Sequence, residues 1–307
     1  MNYTLHQLSI YLRVFELKSI SKAAEEMHLT QPAVSIQLKN FQTQFPLPLW
    51  EIVNKKIFFS DFGIEIAKTA SRILEEAQNL ENKKSAYEGK ITGKIKISCV
   101  STGKYVLPYF LSSFLKQNEA VELQLDVSNK SKVIASLENN EVDFSLVSVM
   151  PGHLNLKKMT FMQNTLVLVG NTENTSRKKK NNKTFIESLP LIYREEGSAT
   201  RLIMEKFIDK NKISVRKKIT LTSNEAVKQA VIAGLGYSIM PLIGIKNELM
   251  NHQLQIIPVE GLPITTNWNL VWLSDKKHAP ASKALLQHLK DQKEEIVKSH
   301  FSWIDSY

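Results

Sequence analysis

Between Ser19 and Gln44 the run SISKAAEEMHLTQPAVSIQLKNFQTQ gathers hydroxyl and amide side chains, notably Thr30, Gln31, Ser35 and Gln37. Their chemistry is recognition and not bond-making. A hydroxyl donates and accepts, an amide does both at fixed spacing, and together they suit the base edges of a DNA major groove. Lys39, Lys55 and Lys56 add point charges that neutralise phosphates. A second set of small polar residues falls where strands should end and helices begin: Ser101, Thr102, Ser128, Asn129, Ser148, Ser198, Thr200 and Ser223. Exposed amides at a helix start, joined by hydroxyl donors, attract anions, and Arg201 adds a two-pronged donor for a carboxylate or phosphate. Each of these residues can equally serve as a plain helix cap. Convergence of several on one cleft favours a pocket for a small anion.

Little else in the chain is equipped for chemistry. The sequence has no paired carboxylates, nucleophile elbow or metal-ligand spacing, and its seven histidines are scattered. The single cysteine, Cys99, cannot close an intrachain disulfide and reads as a small buried residue at a strand end. Gly234-Leu235-Gly236 lacks the third glycine of a dinucleotide fingerprint and follows a helix, so it reads as a helix terminator. No enzymatic activity, cofactor or metal is expected.

The elements that hold the first set read as a three-helix unit. Leu5 to Leu17 forms a helix packed on more than one side. Ser19 or Ser21 caps the second helix, with Glu25 adding negative charge near its start, and Ala23, Ala24 and Met27 face inward. Thr30 caps the third helix with Pro32 in its first turn; Val34, Leu38 and Phe41 form its buried stripe. Gln31, Ala33, Ser35, Gln37 and Lys39 are left to meet a major groove. LWEIVNKKIFFS then reads as two short strands around an Asn54-Lys55-Lys56 turn, a wing. From Asp61 to about Glu88 the helical pattern runs too long to cover so small a unit, so it should pair with a second copy of itself.

From Lys94 onward strands alternate with helices, the pattern of a parallel α/β sheet, and a second such set starts at TLVLVG. Two α/β bodies with a cleft between them follow. The run 171–183 reads as a solvated basic loop. The net charge of +10 does not itself argue for DNA, because residues 1–62 carry only +1 and residues 171–220 carry +7. No apolar run is long enough for a membrane span, and the N-terminus lacks the pattern of a secretory signal, so the expected place is the cytoplasm.

Taken together, SISKAAEEMHLTQPAVSIQLKNFQ, LPYFLSSFLK, EVDFSLV, REEGSATR and AVIAGLGYSIMP resemble the LysR-type transcriptional regulators from end to end. REEGSATR with STGKYVLP is similar to the branch of carbon-fixation and sulfur-metabolism regulators. The resemblance implies an α+β multidomain chain. It would comprise a winged helix-turn-helix (1–60), a linker and dimerisation helix (61–89), regulatory subdomain 1 (90–163 and 269–300), regulatory subdomain 2 (164–268) and a tail (301–307), the subdomains resembling periplasmic binding proteins. It implies DNA contacts at Ser21, Lys22, Thr30, Gln31, Pro32, Ala33, Ser35, Ile36, Lys39, Lys55 and Lys56. It implies promoter DNA, a small anionic effector, RNA polymerase and further copies of the chain, as homodimer or homotetramer, as partners. Ile36 and Ile52 stand where many relatives carry arginine, and Phe45 where a glycine usually ends the third helix. Two other readings stay open: an effector-independent architectural DNA-binding protein, and an α/β enzyme with a regulatory N-terminus.

Overall fold

The computed structural model describes residues 2–54, 56–87, 90–172, 183–215 and 217–307. The chain divides into two compact units, Met1–Lys90 and Ile91–Tyr307.

The first unit opens with α1 (Leu5–Leu17), α2 (Ile20–Glu26) and α3 (Gln31–Gln42). Each begins on a residue whose side-chain oxygen accepts a first-turn amide: Thr4 from Gln7, Ser19 from Lys22, and Thr30 from Ala33. Ser19 and not Ser21 therefore caps α2. Glu25 lies in the last turn of this seven-residue helix, so its charge does not serve the start. A hairpin follows, β1 (Trp50–Val53) with β2 (Lys56–Phe59), in which Val53 pairs with Lys56. Lys56 is thus the first residue of β2 and no part of the turn. α4 (Asp61–Tyr87) completes the unit.

Leu8, Ile10, Tyr11, Val14, Val34, Leu38, Phe41, Ala67 and Ala70 build its core, and Ala23 and Ala24 let the short helices approach closely. Gly63 is obligatory, because a Cβ there would lie 2.0 Å from the Leu49 carbonyl oxygen. Phe45 loses nothing by replacing a glycine: α3 stops at Gln42 and Phe45 has no positive φ. Its ring instead packs on Phe41 at 4.9 Å and Phe62 at 6.1 Å.

The second unit contains β3 (Gly93–Val100), α5 (Leu107–Gln117), β4 (Val121–Ser128), α6 (Lys130–Glu138), β5 (Phe144–Val147) and β6 (Leu156–Asn171). It continues with α7 (Lys183–Glu187), β7 (Pro190–Arg194), α8 (Ala199–Lys210), β8 (Lys217–Leu221), α9 (Asn224–Ile232) and β9 (Ser238–Pro241). α10 (Lys246–Met250), β10 (Leu254–Ile256), β11 (Ile264–Leu273) and α11 (Pro280–Phe301) close it. As expected, β3 runs parallel to β4 and β5, and β7 parallel to β8. The expectation of parallel sheets throughout fails for β6, β9, β10 and β11, whose ladders are antiparallel. β6 and β11 form one long ladder from Leu156↔Leu273 to Leu166↔Ile264, with an irregularity between Trp268 and Asn269.

Alternation along the strands sorts side chains between cores. Leu166, Leu168, Leu191, Tyr193 and Ile239 join Met204 and Phe207 of α8 on one face. Val167, Val169, Ile192 and Met240 join Val227 and Val231 of α9 on the other. This is the period of two expected of strands covered on both faces. A further core gathers β3, β5, α5 and α11 around Phe110, Phe114, Phe144 and Trp268. Cys99 is buried there in β3, and burial, helped by nearby Asp126 and opposed by Lys104, pushes its thiol up to about 12.

Candidate nucleic-acid interface and ligand cleft

Helix α3 buries Val34, Leu38 and Phe41 and turns Gln31, Pro32, Ile36 and Lys39 to solvent, with Ala33 and Ser35 half-exposed. The cap on Thr30 and the ring of Pro32 fix the first turn, so these side chains project from a rigid surface. Gln31 Nε2 donates to Ser35 Oγ at 3.1 Å, which leaves the amide oxygen of Gln31 and the hydroxyl hydrogen of Ser35 for a partner. Gln37 is less free than its type implied. Its Oε1 accepts from Gln7 Nε2 at 3.1 Å, and Gln7 Oε1 accepts from the Thr4 amide at 3.0 Å. Ser21 and Lys22 are exposed at the start of α2, and Lys56 is exposed on the hairpin. Lys55 lies outside the described residues. Ile36 and Ile52 are 59% and 61% exposed, apolar contacts held out in the open.

The second set of residues is spread over strand ends, and a cavity of about 310 Å3 opens at two of them. Lys130 and Ser131 of α6 face Glu196, Gly197, Ser198 and Arg201 at the start of α8 across it. The two loops touch: the Ser131 amide donates to the Gly197 carbonyl at 3.3 Å. Gly197 has φ +79°, and a Cβ there would sit 2.6 Å from Ser131 Oγ, so only glycine allows this approach. Two helix N-termini thus open on one space, an arrangement that favours negative charge.

Of the nine residues read from sequence, Ser198 and Arg201 line this cavity. Asn129, next to Lys130 in the chain, is not part of the lining and is committed as the cap of α6, its Oδ1 accepting from Lys132 at 3.1 Å. Ser223 is likewise a cap, accepting from Ala226 at 3.0 Å. Ser101 and Ser128 are half-buried at strand ends, while Thr102, Ser148 and Thr200 are buried; none of the five lines the cavity. Arg201 is already engaged, by Glu205 at 2.8 Å, Glu196 at 3.6 Å and the Arg194 carbonyl at 3.4 Å. Lys130 and Arg201 face Glu196 and Glu205, so an entering anion must take the place of an acidic partner. Glu196, with its side chain 90% exposed, is the one most easily displaced.

Sequence reading passed over Lys130, Ser131, Glu196 and Gly197, whose only sign was adjacency to the residues chosen. It also passed over Arg194, a charged residue closing the apolar run PLIY. Arg194 is 3% exposed, paired with Glu195 at 2.8 and 2.9 Å, and its Nη1 has no partner among the described residues. Asn224 at the start of α9 is 2% exposed with neither amide atom paired among the described residues, beside Gly244 and the Tyr105 ring. Near it Lys228 bridges Glu248 at 2.7 Å and Glu225 at 3.0 Å. Burial works against both charges, yet hydrogen bonds to Glu248 and Glu225 hold Lys228 above its ordinary value. Those from Gln229 and Lys228 hold Glu225 below its own.

Among the described residues no group of three or more His, Cys, Asp or Glu side chains is arranged to hold a metal, and no helix is long and apolar enough to cross a membrane. Residues 5–63 match the model of the bacterial regulatory helix-turn-helix protein, lysR family, and residues 88–294 match the LysR substrate binding domain. The chain belongs to the LysR-type transcriptional regulators. It is therefore a transcriptional regulator with a DNA-binding and an effector-binding domain, and not an enzyme.

Among LysR-type relatives, the chain is 31% identical to the HTH-type transcriptional activator CmpR of Synechocystis over 94% of its own length and 95% of the relative's. It is 33% identical to the HTH-type transcriptional regulator CbbR of Rhodospirillum rubrum over 93% and 95%. The regulatory domain of Synechocystis CcmR, solved in complex with 2-PG, superposes with a TM-score of 0.63 at 28% identity, covering 66% of this chain and 98% of that one. Of the expected branch of carbon-fixation and sulfur-metabolism regulators, these relatives bear out the carbon-fixation side.

Proposed function

We propose that this LysR-type regulator reads promoter DNA through α3 and its hairpin, and that a small anion bound between Lys130–Ser131 and Ser198–Arg201 shifts how it does so. The observation that carries the reading is the meeting of two helix N-termini, with Lys130 and Arg201, on one cavity. The CcmR domain solved with 2-PG, 2-phosphoglycolate, supports a phosphoester or carboxylate of that size as the effector. Gln31, Ser35 and Ile36 meet base edges, with Ala33 and Pro32 in apolar contact. Ser21, Lys22, Thr30, Lys39, Lys55 and Lys56 approach phosphates. Ser101, Thr102, Ser128, Asn129, Ser148, Thr200 and Ser223 act from behind this cavity, at the strand ends and helix starts that shape the effector cleft.

The boundaries that fit this division are 1–60, 61–89, 90–163 with 269–300, 164–268, and 301–307. α4 leaves Ile73 and Leu80 exposed beside a groove lined by Thr69 and Arg72, which supports pairing of two chains along this helix into a dimer or a dimer of dimers. RNA polymerase is the partner that reads the outcome, and the cytoplasm is where promoter DNA places it. The test is thermal unfolding of the intact chain with 2-phosphoglycolate added. A ligand bound by the folded state alone raises the midpoint with concentration. A flat response in the parent and in Arg201→Ala alike would leave an effector-independent DNA-binding protein.

A further inference from the structure

α11 runs past the last residue matched by the substrate-binding model, 294, and the chain closes in a 3-10 turn, Ser302–Ser306. Phe301 is 3% exposed; its ring stacks with Phe110 at 5.9 Å and meets Tyr109 edge-on at 5.3 Å. That anchors the end of α11 in the core of β3, α5 and α11. Trp303 and Ile304, two and three residues on, pack against this core and also against the core that Val227, Leu242 and Leu249 form around α9 and α10. Lys246, which opens α10, holds its ammonium 5.0 Å from the centre of the Trp303 ring, within cation–π range. Ile243 reaches the other way, from the turn after β9 into the first core.

We propose that Ser302–Ser306 is a strap: docked on both regulatory subdomains at once, it fixes their spacing and limits how far the cleft between them opens. Opening rotates one core against the other, so Trp303 must part from one of them. That exposes apolar surface in proportion to the area uncovered and gives up the Lys246 contact. A docked strap therefore keeps widely open states rare, and a ligand that selects one spacing finds it already populated. The device is independent of which ligand the cleft takes.

The experiment is a spin-label distance measurement in the full chain without ligand. Labels go on Lys116→Cys of α5 and Lys206→Cys of α8, both exposed, and labelled chain is diluted with unlabelled so that only distances within one chain are read. Cys99 can stay, since it is buried and its thiol, at about 12, does not react at neutral pH. The parent should give one narrow distribution. Trp303→Ala, and a chain ending at Phe301, should broaden it roughly twofold, and Trp303→Phe should restore it, as expected when a minor open state becomes populated. Distributions that match the parent in folded Trp303→Ala and in the shortened chain overturn the strap. If the shortened chain does not fold, Trp303→Ala alone decides: broadening upholds the strap and an unchanged distribution removes it.

Discussion

Tyr11 carries the DNA-binding unit at the scale of one residue. Its ring is fully buried and its hydroxyl donates to the Gly63 carbonyl at 2.8 Å, tying α1 to the first turn of α4. Burial raises its pKa well beyond the ordinary phenol value, so the donor is permanent. Tyr11→Phe keeps the ring and removes this hydrogen bond while the Gly63 carbonyl keeps its place in the α4 ladder, so urea denaturation should show a loss of about 0.5–1.5 kcal/mol; no change at all would mean the tie is worth nothing. On the DNA side, Gln31→Ala or Ser35→Ala should lower discrimination between specific and random sequence. Lys56→Ala should weaken both alike and reduce the slope of log affinity against log salt by about one. Equal losses on both DNAs for all three variants, read by fluorescence anisotropy, would contradict that division of roles.

At the scale of elements, α9 is pinned by a charge cluster whose pH dependence has a definite sign. Glu225 is held below its ordinary 4.5, so its contribution is present above that value and is lost as pH falls through the lowered folded pKa. Lys228 is held above 10.5, so its contribution is complete below that value and is lost as pH rises through the raised folded pKa. Lys228→Met should therefore lower the melting temperature most between about pH 5 and 10, and the gap from the parent should narrow outside that window. A gap that does not vary with pH would show a packing effect alone. Gly197→Ala should force the α6 and α8 loops apart, because φ +79° and Ser131 Oγ at 2.6 Å both exclude a methyl. Weaker protection of the Ser131 amide against hydrogen exchange would register this.

The same elements show what sequence can and cannot carry. The caps on Thr4, Ser19 and Thr30, the stripe Val34, Leu38 and Phe41, and the alternation in TLVLV are local, and local patterns are visible in a single chain. The antiparallel ladder of β6 with β11 joins residues about a hundred positions apart, and LKKMTFMQ has no strict alternation to announce it. The cavity residues follow the same rule. Ser198 and Arg201 were visible as a helix start, whereas Lys130, Ser131 and Gly197 matter only because folding brings two loops into contact. Phe45 looked like a lost turn residue, and only its packing on Phe41 and Phe62 shows that it is a half-buried ring covering the core instead.

On the scale of the whole molecule, the basic excess lies mostly outside the DNA-binding unit, so affinity for DNA has to come from placed contacts and from joining copies of that unit. The regulatory unit supplies a cleft with acidic and basic groups already in balance, a long β6–β11 ladder, and Trp303 docked across two cores. A small anion that displaces Glu196 from Arg201 changes the charge balance between two loops that touch at Ser131 and Gly197. The most direct test is footprinting of the DNA upstream of the neighbouring gene while 2-phosphoglycolate is titrated, with the parent chain and Arg201→Ala side by side. The account predicts a protected region whose extent or intensity changes with the anion in the parent and stays constant in Arg201→Ala. Protection that ignores the anion in both, or responds equally in both, would contradict it.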